Sequence, residues 1–168
     1  MGFLETAAKI NRLLGLVEKK EGGRMGRGDI ENVVQCRKLE LVDDQGTIRA
    51  ALMMGENEPV LVLLGSRGKT RLQLMITEDG PALTLFDSQG KIRIKLMQTS
   101  SPSLTLYDSQ GQLKASLGVD EGDSPVLMLL DAQGLPAAVL VIDKSDGPAI
   151  GLFDGQGREI FVQGKMKY

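Results

Sequence analysis

The sequence predicts an all-β protein made of six antiparallel β-hairpin repeats, which give about twelve short strands. Three observations support this fold class. A turn motif of the form D-x-x-G recurs every 21 to 23 residues, apolar residues alternate with polar ones on both sides of it, and a proline opens most copies. Because every copy predicts the same hairpin, we expect a regular β array.

The turn motif is clearest at Asp87-Ser88-Gln89-Gly90. The Asp carboxylate can accept hydrogen bonds from backbone amides two residues on, and the glycine can adopt a left-handed conformation that a side chain would penalise. The equivalent glycines are Gly46, Gly68, Gly90, Gly111, Gly134 and Gly157. Asp stands three positions before each of them except in the second copy, where Gly65 takes its place.

The strands before each turn carry apolar residues seven and five positions ahead of the glycine. These residues are Leu39 and Leu41, Leu61 and Leu63, Leu83 and Leu85, Leu104 and Leu106, Leu127 and Leu129, and Ile150 and Leu152. With a four-residue loop, Leu85 would pair with Ile92 and Leu83 with Ile94, and these residues would share an inner face with Leu96. A three-residue loop would place Leu85 opposite Arg93, so the four-residue loop is the prediction.

Prolines mark where the next copies begin, because proline cannot donate to a strand ladder and favours the first strand position. They stand at Pro59, Pro81, Pro102, Pro125 and Pro148.

The N-terminal stretch has a different periodicity. Apolar residues spaced by three and four predict an amphipathic helix over residues 1–21, and they are Phe3, Ala7, Ile10, Leu14 and Val17. A glycine-rich linker follows over residues 22–32, and the hairpin domain spans residues 33–168. The helix is expected to form a coiled coil between subunits, to dock on its own sheet or a partner, or to lie on a membrane surface.

Composition narrows the function classes. Charged residues such as Lys9 and Arg12 interrupt the helix, which is therefore neither a membrane span nor a secretion signal, and we expect a soluble cytoplasmic protein. Cys36 is the single cysteine, so no internal disulfide is possible. The absence of histidine removes the commonest general base and nitrogen metal ligand. The net charge of -2 gives no steering toward nucleic acid.

Charged residues recur at two places in the repeats. The second strands carry Arg49, Arg71, Arg93 and Lys114, which we interpret as a solvated or salt-bridged face rather than a nucleic-acid surface, because no aromatic residues are interleaved with them. The connections opposite the turns are acidic and carry Glu56, Glu58, Glu78, Asp79, Asp120, Glu121, Asp123, Asp143 and Asp146. Their spacing does not match a calcium loop, so solvated turns are the prediction.

A second apolar set lies immediately before each turn motif, on the face opposite the inner leucines. It comprises Leu64, Phe86, Tyr107, Leu130 and Phe153, and Val42 stands at the same position in the first copy. Strands that are apolar on both sides are usually covered. These five residues and the helix stripe are therefore the candidate interface residues.

Three arrangements of the hairpins remain open at this point. They can stack as a regular solenoid-like array, wrap with other chains into a trimeric prism, or close into a barrel or trefoil-like fold. Because every hairpin is equivalent, whereas a trefoil repeats a pair of hairpins, we favour a solenoid-like or prism-like array assembled from copies of the chain.

The pattern Leu-x-Leu-x-Asp-x-Gln-Gly-x-x-Arg-x-x-Leu, seen over residues 83–96 and, with Lys114 in place of the Arg, over 104–117, resembles bacterial proteins built from such hairpin repeats. The lead-in from Val33 to Asp43 is also similar to theirs, and the resemblance covers about four fifths of the chain. It implies a bacterial or phage-like source and no assigned activity, so it transfers no site residues.

The residues favour a non-catalytic structural or scaffolding protein, a homo-oligomer or a subunit of a larger assembly. The alternative is a β module that binds a glycan or another ligand. Asp87, Asp108, Asp131 and Asp154 are equivalent turn residues, whereas catalysis usually needs one irregular site, so no enzyme activity, cofactor or metal is predicted. The irregular positions Gly65 and Pro136 are the more natural places for a site.

Overall fold

A computed structural model describes residues 35–165, and all of its strands belong to one antiparallel sheet. The strands are β1 (Lys38–Val42), β2 (Ile48–Met54), β3 (Pro59–Leu64), β4 (Thr70–Thr77), β5 (Gly80–Phe86), β6 (Ile92–Met97), β7 (Ser103–Tyr107), β8 (Leu113–Val119), β9 (Pro125–Leu130), β10 (Pro136–Asp143), β11 (Gly147–Phe153) and β12 (Glu159–Gln163). The prediction of an all-β, twelve-stranded antiparallel fold is confirmed.

The sheet is a meander, since each strand pairs only with the strands that precede and follow it in the chain. Strands β1 and β12 form the two edges, so the sheet is open. The alternative of a barrel or trefoil-like fold closed on itself is therefore not what the described residues form. The predicted helix over 1–21 and the linker over 22–32 lie outside the described residues, as do the candidate interface residues Phe3, Ala7, Ile10, Leu14 and Val17.

The five D-x-x-G turns and the equivalent Gly65 turn all lie at one end of the strands, which we call the turn end; the other connections lie at the return end. We number the turns 1 to 6 in chain order. Their glycines have φ values of 77°, 71°, 88°, 86°, 84° and 75° for Gly46, Gly68, Gly90, Gly111, Gly134 and Gly157. This is the left-handed backbone region that favours glycine, so the predicted turn chemistry is confirmed.

The predicted register of the hairpin between β5 and β6 is wrong. Asp87 N donates to Lys91 O at 2.9 Å, which closes a three-residue loop, and Ile92 pairs with Phe86. Leu85 nevertheless pairs with Ile94 and Leu83 with Leu96, because Arg93 is an extra, bulged residue between the two pairs. Because of the bulge, Leu83, Leu85, Ile94 and Leu96 still share one face. Ile92 pairs with Phe86 and not with Leu85 as predicted.

The same bulge recurs beside every turn, where the second strand has one residue more than the first. The bulged residues are Arg49, Arg71, Arg93, Lys114, Ala137 and Ile160. The basic positions noted in the sequence are therefore bulge residues next to the turns. This position places their side chains beside the turns.

Candidate functional site

Two rows of apolar residues cross all twelve strands on one face of the sheet, which we call the leucine face. One row runs Leu41, Ala50, Leu63, Leu72, Leu85, Ile94, Leu106, Ala115, Leu129, Ala138, Leu152 and Phe161. The other runs Leu39, Leu52, Leu61, Leu74, Leu83, Leu96, Leu104, Leu117, Leu127, Leu140, Ile150 and Gln163. Only Gln163, at the β12 edge, is polar.

The leucine face is exposed in the described part of the chain. Leu74 is 43% exposed, Leu96 49% and Leu117 52%, although all three lie on interior strands. Large apolar side chains that form a continuous face usually pack against a second layer. Within residues 35–165, the apolar residues that are buried are Ala51, Ala82 and Ala149, all small. The sheet described here therefore has no core of large side chains.

The opposite face is mixed: its middle row is polar at the centre of the sheet and apolar on either side, at Val62, Met128 and Val139. Across the centre of the sheet its middle row reads Gln73, Thr84, Lys95, Thr105 and Ser116. Thr84 is 5% exposed. Among the least exposed residues in the described part of the chain, Ala51, Ala82, Thr84 and Ala149 lie on this opposite face, whereas the large apolar side chains of the leucine face stay more accessible.

The candidate interface residues of the repeats lie at the turn end of this opposite face. Leu64, Phe86, Tyr107, Leu130 and Phe153 are all half-buried. They are less accessible than most of the leucines that the sequence placed on an inner face. Their role in an interface stays a prediction.

The aspartates of the turns hold the turn backbone together. Asp87 Oδ1 accepts hydrogen bonds from the amides of Gln89 at 2.8 Å and Lys91 at 3.0 Å. The Lys91 amide is the largest cause that holds the pKa of Asp87 below its ordinary value. The corresponding amides of Thr47, Gln112 and Arg158 likewise lower the pKa values of Asp43, Asp108 and Asp154. These carboxylates are engaged in structure.

Cations link successive turns to one another. In each case a Lys or Arg beside one turn donates to a backbone carbonyl of the next: Arg49 Nη1 to Gly65 O at 3.1 Å, Lys69 Nζ to Gln89 O at 2.8 Å, Lys91 Nζ to Ser109 O at 2.8 Å, Arg93 Nε to Tyr107 O at 2.9 Å and Lys114 Nζ to Asp131 O at 2.7 Å. Hydrogen bonds to charged donors are stronger than neutral ones. These lysines and arginines therefore help to stabilise the sheet itself.

Three turns, numbers 2, 5 and 6, lack the combination of a turn carboxylate with a bulge cation. Turn 1 shows the complete pair, in which Asp43 Oδ2 accepts from Arg49 Nε at 2.8 Å and lies 2.6 Å from Nη2. Turn 2 has the bulge cation Arg71, but Gly65 in place of the aspartate. Turn 5 has the reverse arrangement, an aspartate without a bulge cation, and turn 6 has Ile160 at the bulge position while Asp154 pairs with Arg158.

In turn 5 the carboxylate lacks a bulge cation. Asp131 Oδ1 accepts from the amides of Gln133 and Leu135, whereas Oδ2 is buried with no hydrogen-bond partner. The bulge position that holds an arginine in turn 1 is Ala137. A buried carboxylate oxygen without a partner is unfavourable for stability.

A small cavity of about 60 Å³ lies at turn 2. It is lined by Gly65, Ser66, Arg67, Lys69, Arg71 and Ser88, so basic and hydroxyl side chains surround it. The sequence had singled out Gly65 as an irregular position, and the structure adds the cavity and the neighbouring cations. Pro136, the other irregular position, begins β10 and pairs with Leu130.

The acidic return end contains a further turn of the same kind, which the sequence pattern missed. Asp120 Oδ1 accepts from the amides of Gly122 and Ser124, and Asp123 N donates to Asp120 O. Asp123 has φ 59°, so it occupies the left-handed position that glycine fills at the turn end. The signal was present as D-x-x-D, with aspartate where the motif required glycine.

No group of three or more His, Cys, Asp or Glu side chains that could hold a metal ion occurs between residues 35 and 165. Cys36 is a free, exposed thiol. Over the same residues, the structure contains no helix with the length and apolar character needed to cross a membrane.

Comparison with known proteins adds no family: no protein-family model matches the chain, and no curated protein matches it.

Proposed function

We propose that this chain is a non-catalytic structural protein that assembles with copies of itself by burying the leucine face. One observation carries the proposal: two nearly unbroken apolar rows cross twelve strands and remain exposed in the described part of the chain. A single-layer sheet with one uncovered apolar face gains little from hydrophobic burial. Packing of other subunits on the leucine face would supply the missing hydrophobic burial.

The size of the leucine face fits a protein interface. Twelve strands at a spacing of about 4.8 Å make the sheet roughly 50 Å wide, and two rows occupy about 13 Å along the strands. The resulting area of roughly 700 Å² is close to the ~800 Å² that each partner buries in a standard interface. It exceeds the 300–600 Å² of the largest apolar patch on a typical monomer.

A second copy is a better match for this face than the predicted N-terminal helix. A helix over residues 3–20 would be about 27 Å long, roughly half the width of the sheet. A second leucine face has the same width, the same side chains and almost no charge, and two such faces can interdigitate as in a β-sandwich. We therefore propose that the hairpin arrays pack face to face, or as the sides of a prism, and that the N-terminal helix connects them to further subunits.

The experiment is a mass measurement in solution by light scattering, on the full chain and on a variant with Leu74→Glu and Leu96→Glu. Both leucines lie near the centre of the exposed face, where two charges would oppose burial. We expect the full chain to form a defined oligomer and the variant to dissociate.

The matched control carries the same new side chain at the neighbouring positions Gln73 and Lys95, which lie on the opposite face of the same two strands. Gln73→Glu with Lys95→Glu should keep the oligomer mass. A monomeric full chain, or a folded Leu74→Glu, Leu96→Glu variant with unchanged mass, would contradict the proposal.

A further inference from the structure

We propose that turn 2 binds a carboxylate group from solution in the position that an aspartate side chain fills in the sister turns. The Gly65 turn shares its backbone with turns 1 and 3 of the same sheet but lacks their carboxylate. The proposed site lies at the turn end, so it does not depend on self-assembly through the leucine face.

The backbone of turn 2 matches that of the aspartate turns. Gly65 N donates to Lys69 O and Gly68 N donates to Gly65 O, both at 2.9 Å, as Asp87 and Gly90 do in turn 3. Gly65 is not among the residues with positive φ. The backbone of turn 2 therefore does not require glycine at this position, and what distinguishes it is the missing carboxylate.

The donors that hold the aspartate carboxylate in the sister turns are retained. In turn 1, Asp43 Oδ1 accepts from the amides of Gln45 and Thr47, at 3.0 and 2.9 Å. The equivalent amides of turn 2 belong to Arg67 and Lys69, and no side chain at position 65 accepts from them. Two backbone N–H groups in this arrangement form an anion-binding concavity.

The cation that completes the pair is also retained. Arg71 occupies the bulge position of Arg49, whose guanidinium holds Asp43 Oδ2 in turn 1. Arg67 is a further basic residue that lines the cavity, while the ammonium of Lys69 donates to Gln89 O. No carboxylate lines the cavity, so its local charge is positive.

The space is large enough for the proposed group. The cavity of about 60 Å³ is roughly four to six times the 10–15 Å³ that one water molecule needs on the same measure. One carboxylate oxygen would accept from the Arg67 and Lys69 amides and the other from Arg71, which reproduces the geometry of Asp43 and Arg49. The ligand is therefore a small carboxylate, or the carboxylate end of a larger molecule.

The test is a titration of the ¹⁵N-labelled full chain with sodium acetate at constant ionic strength, with sodium chloride as the reference salt. We expect saturable shifts of the Arg67 and Lys69 amide signals with acetate only. Arg71→Gln should weaken acetate binding at least about tenfold, because it removes the charged donor. Chloride shifts equal to those with acetate, or an absence of shifts at both amides, would overturn the proposal.

Gly65→Asp provides the occupied control. A Cβ at Gly65 would lie 3.1 Å from Arg71 Cγ, a flexible side chain that can move by a few tenths of an ångström. The variant should lose the acetate response, and its melting temperature should no longer rise with acetate, whereas that of the unmodified chain should. An acetate response that survives in Gly65→Asp would place the bound anion elsewhere and refute the assignment.

Asp87→Gly supplies the converse control, since it removes the carboxylate of turn 3 and leaves Arg93 in the bulge position. We expect the Gln89 and Lys91 amides to become sensitive to acetate in this variant alone. If the variant folds and these amides do not respond, a turn without its carboxylate does not create a site, and the inference is wrong.

Discussion

At the scale of single residues, Gly80 and Gly90 have positive φ but different surroundings. Gly90 has φ 88°, and the nearest atom to a Cβ built on it would be Lys69 Cδ at 3.9 Å. Gly80 has φ 131°, and a Cβ there would collide with the backbone carbonyl of Gln98, the residue that follows β6. A side chain at Gly90 therefore meets only backbone strain, whereas one at Gly80 also displaces a neighbouring strand.

We expect Gly90→Ala to lower the free energy of unfolding by about 1 kcal/mol, the usual cost of a left-handed conformation in a residue with a Cβ. Gly80→Ala should cost clearly more, because the Gln98 carbonyl cannot move without disturbing the pairing of β5 with β6. Urea unfolding of both variants measures the difference. Equal losses would show that the close approach at Gly80 does not constrain the sheet.

Asp123 gives a stabilising prediction of the same kind. It has φ 59° in a turn that otherwise matches the glycine turns, so Asp123→Gly should raise the melting temperature. The hydrogen bond from Lys144 Nζ, which also lowers the pKa of Asp123, would be lost. Both side chains are well exposed, and exposed ion pairs contribute little to stability.

The reciprocal change, Gly111→Asp, places the same side chain at the equivalent position of turn 4 and should lower the melting temperature. Calorimetry of the two variants checks the pair. A decrease for Asp123→Gly would mean that the ion pair with Lys144 outweighs the backbone strain.

At the scale of the turn, the aspartates make stability depend on pH. Backbone amides lower the pKa values of Asp43, Asp87, Asp108 and Asp154 in the folded protein, so the unfolded chain binds protons at a higher pH than the folded chain. The stability that these carboxylates contribute is fully present well above the unfolded pKa of about 3.9. This stability is lost progressively as the pH falls from about 5 through the lowered pKa values of the folded protein.

We therefore expect the melting temperature to be constant near neutral pH and to fall steeply below about pH 4. Replacing Asp87 and Asp108 by Asn should lower the melting temperature at pH 7 and flatten its decline in acid. Thermal unfolding between pH 7 and 2.5 measures both effects. A decline of unchanged steepness in the double variant would assign the acid sensitivity to other groups.

Turn 5 can be completed by design. Ala137→Arg places a guanidinium at the bulge position, where Arg49 pairs with Asp43 in turn 1, and it offers a donor to the unpartnered Asp131 Oδ2. We expect a gain of about 1 kcal/mol in unfolding free energy. Ala137→Met, which is also long but uncharged, is the control and should not give this gain. Equal effects of the two variants would indicate packing, not pairing.

The hairpin between β5 and β6 also shows which features of the fold could be predicted from the sequence. Alternation assigned Leu83, Leu85, Ile94 and Leu96 to one face correctly, because moving a pairing by two residues leaves every side chain on the same face. For the same reason, alternation could not distinguish a four-residue loop from a three-residue loop with a bulge at Arg93. The sequence identified Gly65 as an irregular position but could not reveal the cavity beside it, because the candidate hydrogen-bond donors there are backbone amides.

At the scale of the whole molecule, the sequence predicted an apolar face in need of a cover and could not identify the cover. The described residues form one layer, and the candidate helix lies outside them. If copies of the chain supply the cover, folding and association are linked, and the melting temperature should rise with protein concentration. Calorimetry over a hundredfold concentration range tests this, and a concentration-independent value would contradict a coupled assembly.

The meander connectivity has a consequence for how the protein reaches this structure. Between residues 35 and 165, every pair of strands in contact is consecutive along the chain, so no strand pairing there requires a long loop to close first, which favours rapid folding. Such an array behaves as a one-dimensional chain of units, in which each hairpin stabilises only its neighbours. Removal of the hairpin formed by β11 and β12 should therefore shorten the protein by one unit without abolishing its fold. A lineage could change the length of this protein by duplicating or deleting single repeats.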